Sequence, residues 1–439
     1  MPSIWSETTQ IAPRPPLPGY LETDTAVIGG GMAGVLTAWL LKEAGVESVV
    51  LEAQRLGSGQ TRNTTAKITS QHGLIYDKLT RRFGAEQAGQ YARVNQRAIA
   101  EYRRIVRELA IDCALEERAA YLYSTLDEDA LRAEAHAARA LGLNAQFTAQ
   151  TALPFPVKGA VRFEEQAQFH PLRFLAAVAE QVTVYEQTLV LRVDGGRVET
   201  DRGTVRARHV VFACHFPFVN APGYYFARMH QERSYVLALK NAPQLDGMYY
   251  GVDPEGLSFR NAGEYLLLGG GNHRTGENSA GGRYELLRQA ARRCYPDSRE
   301  AAHWSAQDCI PLDGVPYIGV YAPSVPNWYV ATGFQKWGMT SSMAAAMLIS
   351  ARITGREDPD GAVFSPRRFK LPAAGANLLE DGKQTVKGLS RQLFTSGRAE
   401  LEALPSGHGG VVELAWNFTE SNSGLDAVLS ADSYINEGV

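Results

Sequence analysis

Two periods of apolar residues organise the chain. The run "TDTAVIGGGMAGVLTAWLLKEAGVESVVLEA" predicts a buried strand over Ala26 to Ile28, a glycine turn, an Ala/Leu-rich helix and a second strand over Val49 to Leu51. From Tyr76 to about Leu143 the pattern is helical and charged. Within it, "AGQYARVNQRAIAEYRRIVRELAID" puts Tyr91, Val94, Ile99, Tyr102, Ile105, Val106 and Leu109 on one face, which reads as a packed helix without chemistry. "FHPLRFLAAVAEQ" predicts a second amphipathic helix, started by His170-Pro171. "VTVYEQTLVLRVDGGRVETDRGTVRARHVVFAC" alternates, with turns at Asp194-Gly195-Gly196 and Asp201-Arg202-Gly203, and predicts a β-meander returning to a buried strand over Val210 to Ala213. Between residues 226 and 310, "RSYVLALK", "GMYYGV", "LSFRN" and "YLLLGGG" predict an antiparallel sheet, followed by a helix near Tyr284 to Arg293. "PLDGVPYIGV" and the strand "NWYVATG" lead to a last helix within "GFQKWGMTSSMAAAMLIS".

Composition narrows the class. The 439 residues carry a formal charge of -3 and 45% hydrophobic content, ordinary for one large or two modest cores. With acids and bases nearly balanced and no long basic block, neither nucleic acid nor an anionic membrane is expected as a partner, and a small molecule is. Cys113, Cys214, Cys294 and Cys309 lie far apart, with no C-x-x-C pair and no Cys/His cluster at metal spacing. The N-terminal "MPSIWSETTQIAPRPPLPGY" lacks a basic stretch followed by an apolar core, and no apolar run is long enough to span a bilayer. A cytoplasmic location is expected.

The glycine turn carries chemistry. Gly29-x-Gly31-x-x-Gly34, with Met32 and Ala33 opening the helix, lies inside a complete strand-helix-strand unit that ends at Glu52. Such a turn lets backbone approach a pyrophosphate at the helix N-terminus, and the acid accepts from ribose hydroxyls. The next segment, "AQRLGSGQTRNTTAKITSQHG", is small and hydroxyl-rich. That composition suits a ribityl chain and pyrophosphate better than the regular βα unit that follows in an NAD domain, so FAD is favoured over NAD. The last helix raises the same theme, because Gly333 to Gly338 start it with Lys336 and Trp337 although Ser and Thr are close by. An uncapped helix start of this kind suits a negative or electron-accepting ligand.

The expected fold class is therefore α/β plus α+β. A discontinuous Rossmann-like FAD-binding domain takes residues 22–82, 155–225 and 310–370, an antiparallel-sheet substrate domain takes 83–154 and 226–309, and 371–439 form a C-terminal extension.

The fingerprint with Glu52, "GSGQTRNTTAK", "HVVFAC", "PLDGVPYIG" and "GFQKWGMT" resemble the FAD-dependent oxidoreductases of the D-amino-acid oxidase, glycine oxidase and sarcosine oxidase superfamily. "TTAKITSQHGLIYDKL" and "AQFHPLRFL" are most similar to a bacterial branch often fused to a C-terminal Rieske domain. The resemblance implies that the cofactor is held by the fingerprint and by Ala53, Gln54, Arg55, Gly59, Thr61, Asn63, Thr64, Thr65, Ala66 and Lys67. It adds Leu189, Val190, Ala213, Cys214 and Gly314, and makes Gly333, Phe334, Lys336, Trp337, Gly338, Met339 and Thr340 the wall of the isoalloxazine site. Relatives with covalent flavin attach it through a Cys or a His, and the matching positions here are Ala306 and Asn63, so non-covalent FAD is implied, with Cys309 close to the first position. "GRAELEALPSGHGGVVEL" resembles the start of the Rieske domain. Such a cluster needs two Cys and two His, and beyond Phe369 the chain has no Cys and one His, His408.

The implied reaction is oxidation of a C–N bond by hydride transfer from the carbon beside an amine to the flavin, followed by imine hydrolysis, with O2 or a redox partner taking the electrons. An amine that enters neutral needs no protein base, and no catalytic triad or carboxylate pair is found. His72, Tyr249, Tyr250, Arg260, His273 and Arg274 are the candidate substrate contacts beside Lys336 and Trp337. Either Arg would clamp a carboxylate, and alternation lets only one of the two tyrosines face the site. His170 and His215 read as a helix-start residue and a packing residue. The rival readings are an NAD-dependent dehydrogenase and a flavoprotein kept as an electron-transfer or binding subunit.

Overall fold

In the computed structural model the described residues are 2–277 and 281–368, and they belong to one compact unit, Met1–Ala373. The C-terminal extension and its Rieske-like segment lie outside the described residues.

Two sheets divide this unit. The first has eight strands, with Tyr317–Ala322, Val325–Thr332, Gly203–Phe212, Tyr20–Ile28, Ser48–Leu51 and Thr183–Tyr185 side by side. Tyr20–Ile28 sits in the middle, parallel to both Gly203–Phe212 and Ser48–Leu51. Its burial pattern explains the place: the first half alternates, whereas Thr25, Ala26, Val27 and Ile28 are all buried, as a strand covered on both faces requires. Helices Met32–Glu43 and Gly338–Ile353, both rich in small apolar residues, pack against each other.

The second sheet has nine strands and runs from Arg299–Pro311 through Met229–Lys240, Tyr265–Arg274, Ser258–Ala262, Gly247–Gly251, Glu116–Ser124 and Gly159–Gln168 to Lys67–Ile68. Several of its strands depart from expectation, Lys67–Ile68 among them, since residues 22–82 are expected on the nucleotide side. Glu116–Ser124 interrupts the stretch read as helical, which divides into helices Tyr76–Glu108 and Glu128–Ala140 around it. Its parallel pairing with Gly247–Gly251, far away in sequence, outweighs the local helical signal. Gly159–Gln168, expected with the nucleotide-side segment, is antiparallel to Glu116–Ser124 in this second sheet. The meander begins only at Val190, because Thr183–Tyr185 instead extends the first sheet beside Ser48–Leu51. The Tyr76–Glu108 helix buries Tyr91, Val94, Ile99, Tyr102 and Ile105 as its pattern predicts, with Val106 and Leu109 half-buried at the margin.

Arg260 ties the two sheets' loops together. Its guanidinium is buried and donates to the carbonyls of Thr65 (2.5 Å), Ala66 (2.7 Å), Phe169 (3.3 Å) and Asn261 (3.0 Å), with Trp5 under its face at 5.3 Å. Five fixed donors satisfy several carbonyls at once, which an ammonium cannot do. Burial lowers its pKa to about 9. The residue is thus a brace for the Thr65-Ala66 turn and does not act as the expected carboxylate clamp. Arg260→Lys is expected to strand buried carbonyls at roughly 1–3 kcal/mol each. The check is denaturant unfolding, where a loss of about 3 kcal/mol is predicted. Unchanged stability with a raised substrate KM would return Arg260 to substrate binding.

Candidate active site

Four neighbouring strand ends of the first sheet open into a single cavity of about 670 Å³. Ile28 and Gly29, Leu51 to Gln54, Ala213 to His215, and Ala331 with Phe334 line it, at or just beyond the C-terminal end of each strand, where parallel sheets bind ligands. The opposite wall comes from the second sheet through Ser234, Tyr235, Tyr250, Ser258, Gly269, Ala306 and Asp308.

The glycine turn shapes one end. Gly29 takes a φ of 113°, and a Cβ there would meet the Ala213 carbonyl oxygen at 2.6 Å, so the turn closes on the neighbouring strand only with glycine. A Cβ on Gly34 would strike the Gly29 oxygen at 1.9 Å. Gly34 therefore serves helix-against-strand approach and does not line the cavity. Gly31 does line it, and a Cβ there would have only the Thr61 hydroxyl, at 3.3 Å, for a neighbour. The space beside Gly31 belongs to the cavity. The helix Met32–Glu43 starts here with no side-chain cap, and Met32 N donates to Thr61 Oγ1 at 3.0 Å. Glu52 braces the turn, accepting from Gly30 N at 2.6 Å and Gln54 N at 2.8 Å, while keeping its place in the wall.

The other end has the same design. The helix Gly338–Ile353 starts at Trp337 without a side-chain cap. Thr340, the nearest hydroxyl, is drawn away to accept from Thr69 N at 2.9 Å. This leaves the helix start to the cavity, which Phe334, Gln335, Lys336, Trp337, Gly338 and Met339 line. Trp337 stacks on His72 with centroids 5.0 Å apart and meets Tyr250 edge-on at 5.0 Å. Lys336 Nζ lies 3.2 Å from Asp308 and 3.4 Å from Glu232, which are cross-strand partners. Burial alone would lower the pKa of Lys336, but Asp308, Tyr250 and Glu232 outweigh it and raise the value.

Among the other expected residues, Ala53, Gln54, Gly59, Thr61, Asn63, Thr64, Thr65, Lys67, Leu189, Val190, Ala213 and Cys214 also line the cavity. Arg55, Ala66, Gly314, Gly333 and Thr340 stand outside its wall; Arg55 pairs with Glu186 at 3.1 Å, and Ala66 is buried at the Arg260 brace.

The expected substrate set is largely redistributed. Tyr250 faces the cavity, whereas Tyr249 turns away to stack on Tyr121 and bond Asp246. His72 lies behind Trp337, where its Nε2 donates to Thr69 O at 2.7 Å and its Nδ1 accepts from the Tyr91 hydroxyl at 2.6 Å. Burial drops its pKa to about 3, so it is a neutral support for the indole. His273 backs Tyr235 through a 3.0 Å hydrogen bond and, like Arg274, does not line the cavity. No arginine is part of the wall among the described residues. His170 caps the helix Pro171–Ala179 as predicted. His215 is instead in the cavity wall, its Nε2 3.3 Å from Cys309 Sγ.

Asp308, Ser234, Tyr235 and Ser258 escaped the sequence reading. Asp308 and Ser234 come from strands joined only by long-range pairing, and their approach, with Ser234 Oγ donating to Asp308 at 3.1 Å, depends on that register. The alternation in "RSYVLALK" was the available signal for Ser234.

Comparison with known proteins agrees with this geometry. Residues 24–352 match the family model described as FAD dependent oxidoreductase (DAO). Over 432 residues the chain is 35% identical to a Bacillus subtilis protein described as "Putative Rieske 2Fe-2S iron-sulfur protein YhfW", covering 94% of this chain and 84% of that one. It is 24% identical over 223 residues to the gamma-glutamylputrescine oxidoreductase of Escherichia coli, covering 47% of this chain and 52% of the other. The fold is similar to that of glycine oxidase from Geobacillus kaustophilus, with a TM-score of 0.66 and 22% identity over 80% of this chain and 100% of that one. L-Proline dehydrogenase from P. horikoshii gives a TM-score of 0.68 at 17% identity, covering 80% and 98%. The chain belongs to the DAO family of FAD-dependent oxidoreductases.

Proposed function

We propose that the cavity holds one non-covalent FAD and that the protein oxidises the C–N bond of a small amine. The observation that carries this reading is the pair of helix starts without side-chain caps, from Met32 and from Gly338, opening on the same cavity. The residues fit the cofactor. Gly31 and Ala33 offer backbone N–H groups to a pyrophosphate, with no side chain on Gly31 to obstruct it, Glu52 takes ribose hydroxyls, and Thr61, Thr64 and Thr65 supply hydroxyls along the chain between. The start of Gly338–Ile353 faces an electron-accepting ring. When bound, FAD supplies the hydride acceptor.

The protein's own part is orientation and charge. Tyr250, Trp337 and Phe334 form an apolar, aromatic enclosure that suits an amine and excludes water. Asp308 offers a carboxylate to a nitrogen, and the Lys336 ion pair fixes its position. With no guanidinium in the wall among the described residues, an amine is favoured over an α-amino acid held by its carboxylate. The electrons leave to O2 or to a redox protein.

Three measurements test the reading. Purified protein should be yellow, acid precipitation should release FAD into the supernatant, and an anaerobic amine screen should bleach it; flavin that stays in the pellet, or no bleaching by any amine, would contradict it. Gly31→Val would push methyl groups into the pyrophosphate end, so the variant should fold, by circular dichroism, yet lack visible flavin absorbance. Full flavin content in that variant would place the cofactor elsewhere.

A further inference from the structure

Lys67 stands in the cavity wall with an unusual set of partners. Its Nζ donates to the Tyr249 carbonyl oxygen at 3.0 Å and to Ser258 Oγ at 2.6 Å. Among the described residues no carboxylate forms an ion pair with it, although it is only 9% exposed. Two acceptors match the two N–H bonds of a neutral amine, whose lone pair is then left over.

The groups around it favour that neutral form. Arg260, on the strand Ser258–Ala262, is a like charge beside it, and the Tyr250 ring from Gly247–Gly251 lies 6.0 Å away. Gln168 on Gly159–Gln168 is its register partner and spends its amide on Glu116. Burial first, and Arg260 second, bring the Lys67 pKa down to about 7. Other candidate bases are engaged, Asp308 by Lys336 and Ser234, and His215 by Cys309.

We propose that Lys67 is the proton acceptor that turns an incoming ammonium substrate into the neutral amine that can be oxidised. This rests on the C–N oxidation reading above. The N–H bond of the ammonium breaks, an N–H bond to Lys67 Nζ forms, and the electron pair stays on the substrate nitrogen. The C–H electron pair then departs as hydride, FAD being the oxidant, and the nitrogen pair closes the C=N bond. Lys67 returns its proton to water as the product leaves. An ammonium has no lone pair to give, and a base whose pKa lies near the working pH serves best.

The test compares Lys67→Met and Lys67→Arg with wild type by anaerobic flavin reduction across pH, using FAD-loaded protein and one amine found to bleach it. Wild type should show a rising limb centred near pH 7. Both variants should be slower at neutral pH by roughly 100-fold or more, recovering only as the free amine itself deprotonates. Arg keeps the positive charge but cannot accept a proton, so rescue by Lys67→Arg would show that Lys67 serves as a charge and would overturn the proposal. An unchanged limb in Lys67→Met would overturn it too, while leaving C–N oxidation intact. A second readout is independent of turnover and of variant folding: the pH dependence of reductive methylation at Lys67 in wild-type FAD-loaded protein, followed by peptide mass spectrometry. Half-maximal labelling near pH 7 supports the proposal, and labelling that rises only at ordinary lysine pH contradicts it.

Discussion

A helix start buried without a cap is the constraint on which the rest of this structure depends. Backbone N–H groups there need a partner, and ordinary proteins supply one with Ser, Thr, Asp or Asn. This protein withholds it twice. At Met32 the N-cap is Gly31, and at Gly338 it is Trp337. At Gly338 the nearest hydroxyl, Thr340, is committed to Thr69 N, and at Met32 the hydroxyl that reaches the start, Thr61, accepts from Met32 N alone. Two positive helix poles therefore open on one cavity, an arrangement that an electron-rich ligand stabilises.

Charge in the wall is arranged to keep that field usable. Glu232 and Asp308 are directly opposite on paired strands, a placement that is unfavourable for like charges unless a cation bridges them, and Lys336 does so. Arg260 stands outside the wall and is spent on backbone carbonyls. Lys67 stands between these extremes, in the wall and, among the described residues, without a carboxylate partner, its pKa lowered by burial to about 7. The site thus sets a fixed ion pair beside a lysine able to change charge.

Much of this was legible in the sequence, for a physical reason. The glycine fingerprint and the Gly333 to Gly338 turn are local, and steric demands on a few consecutive residues decide them; Gly29 with its Cβ-forbidding contact on Ala213 is the clearest case. The end of the central strand, Ala26 to Ile28, is equally plain because full burial leaves an unbroken apolar run, whereas the alternating half Tyr20 to Asp24 carries no such signal. What remained hidden depends on pairing between distant segments. Glu116–Ser124 became a strand through Gly247–Gly251, Gly159–Gln168 joined the second sheet with it, and Asp308 reached the site only through the register of Arg299–Pro311 against Met229–Lys240. Arg260 and Tyr249 show the converse. Their residue types suggested substrate contacts, yet the direction of each side chain, which local sequence does not determine, sends one to backbone carbonyls and the other to Tyr121 and Asp246.

The central claim is that both uncapped helix starts serve a single FAD. A crystal structure of the FAD-loaded protein tests it most directly. The account predicts the pyrophosphate against Gly31, Met32 and Ala33 and the isoalloxazine against Phe334 to Met339, with Glu52 on the ribose. A flavin that leaves either helix start unoccupied, or density for a nicotinamide dinucleotide in its place, would contradict it.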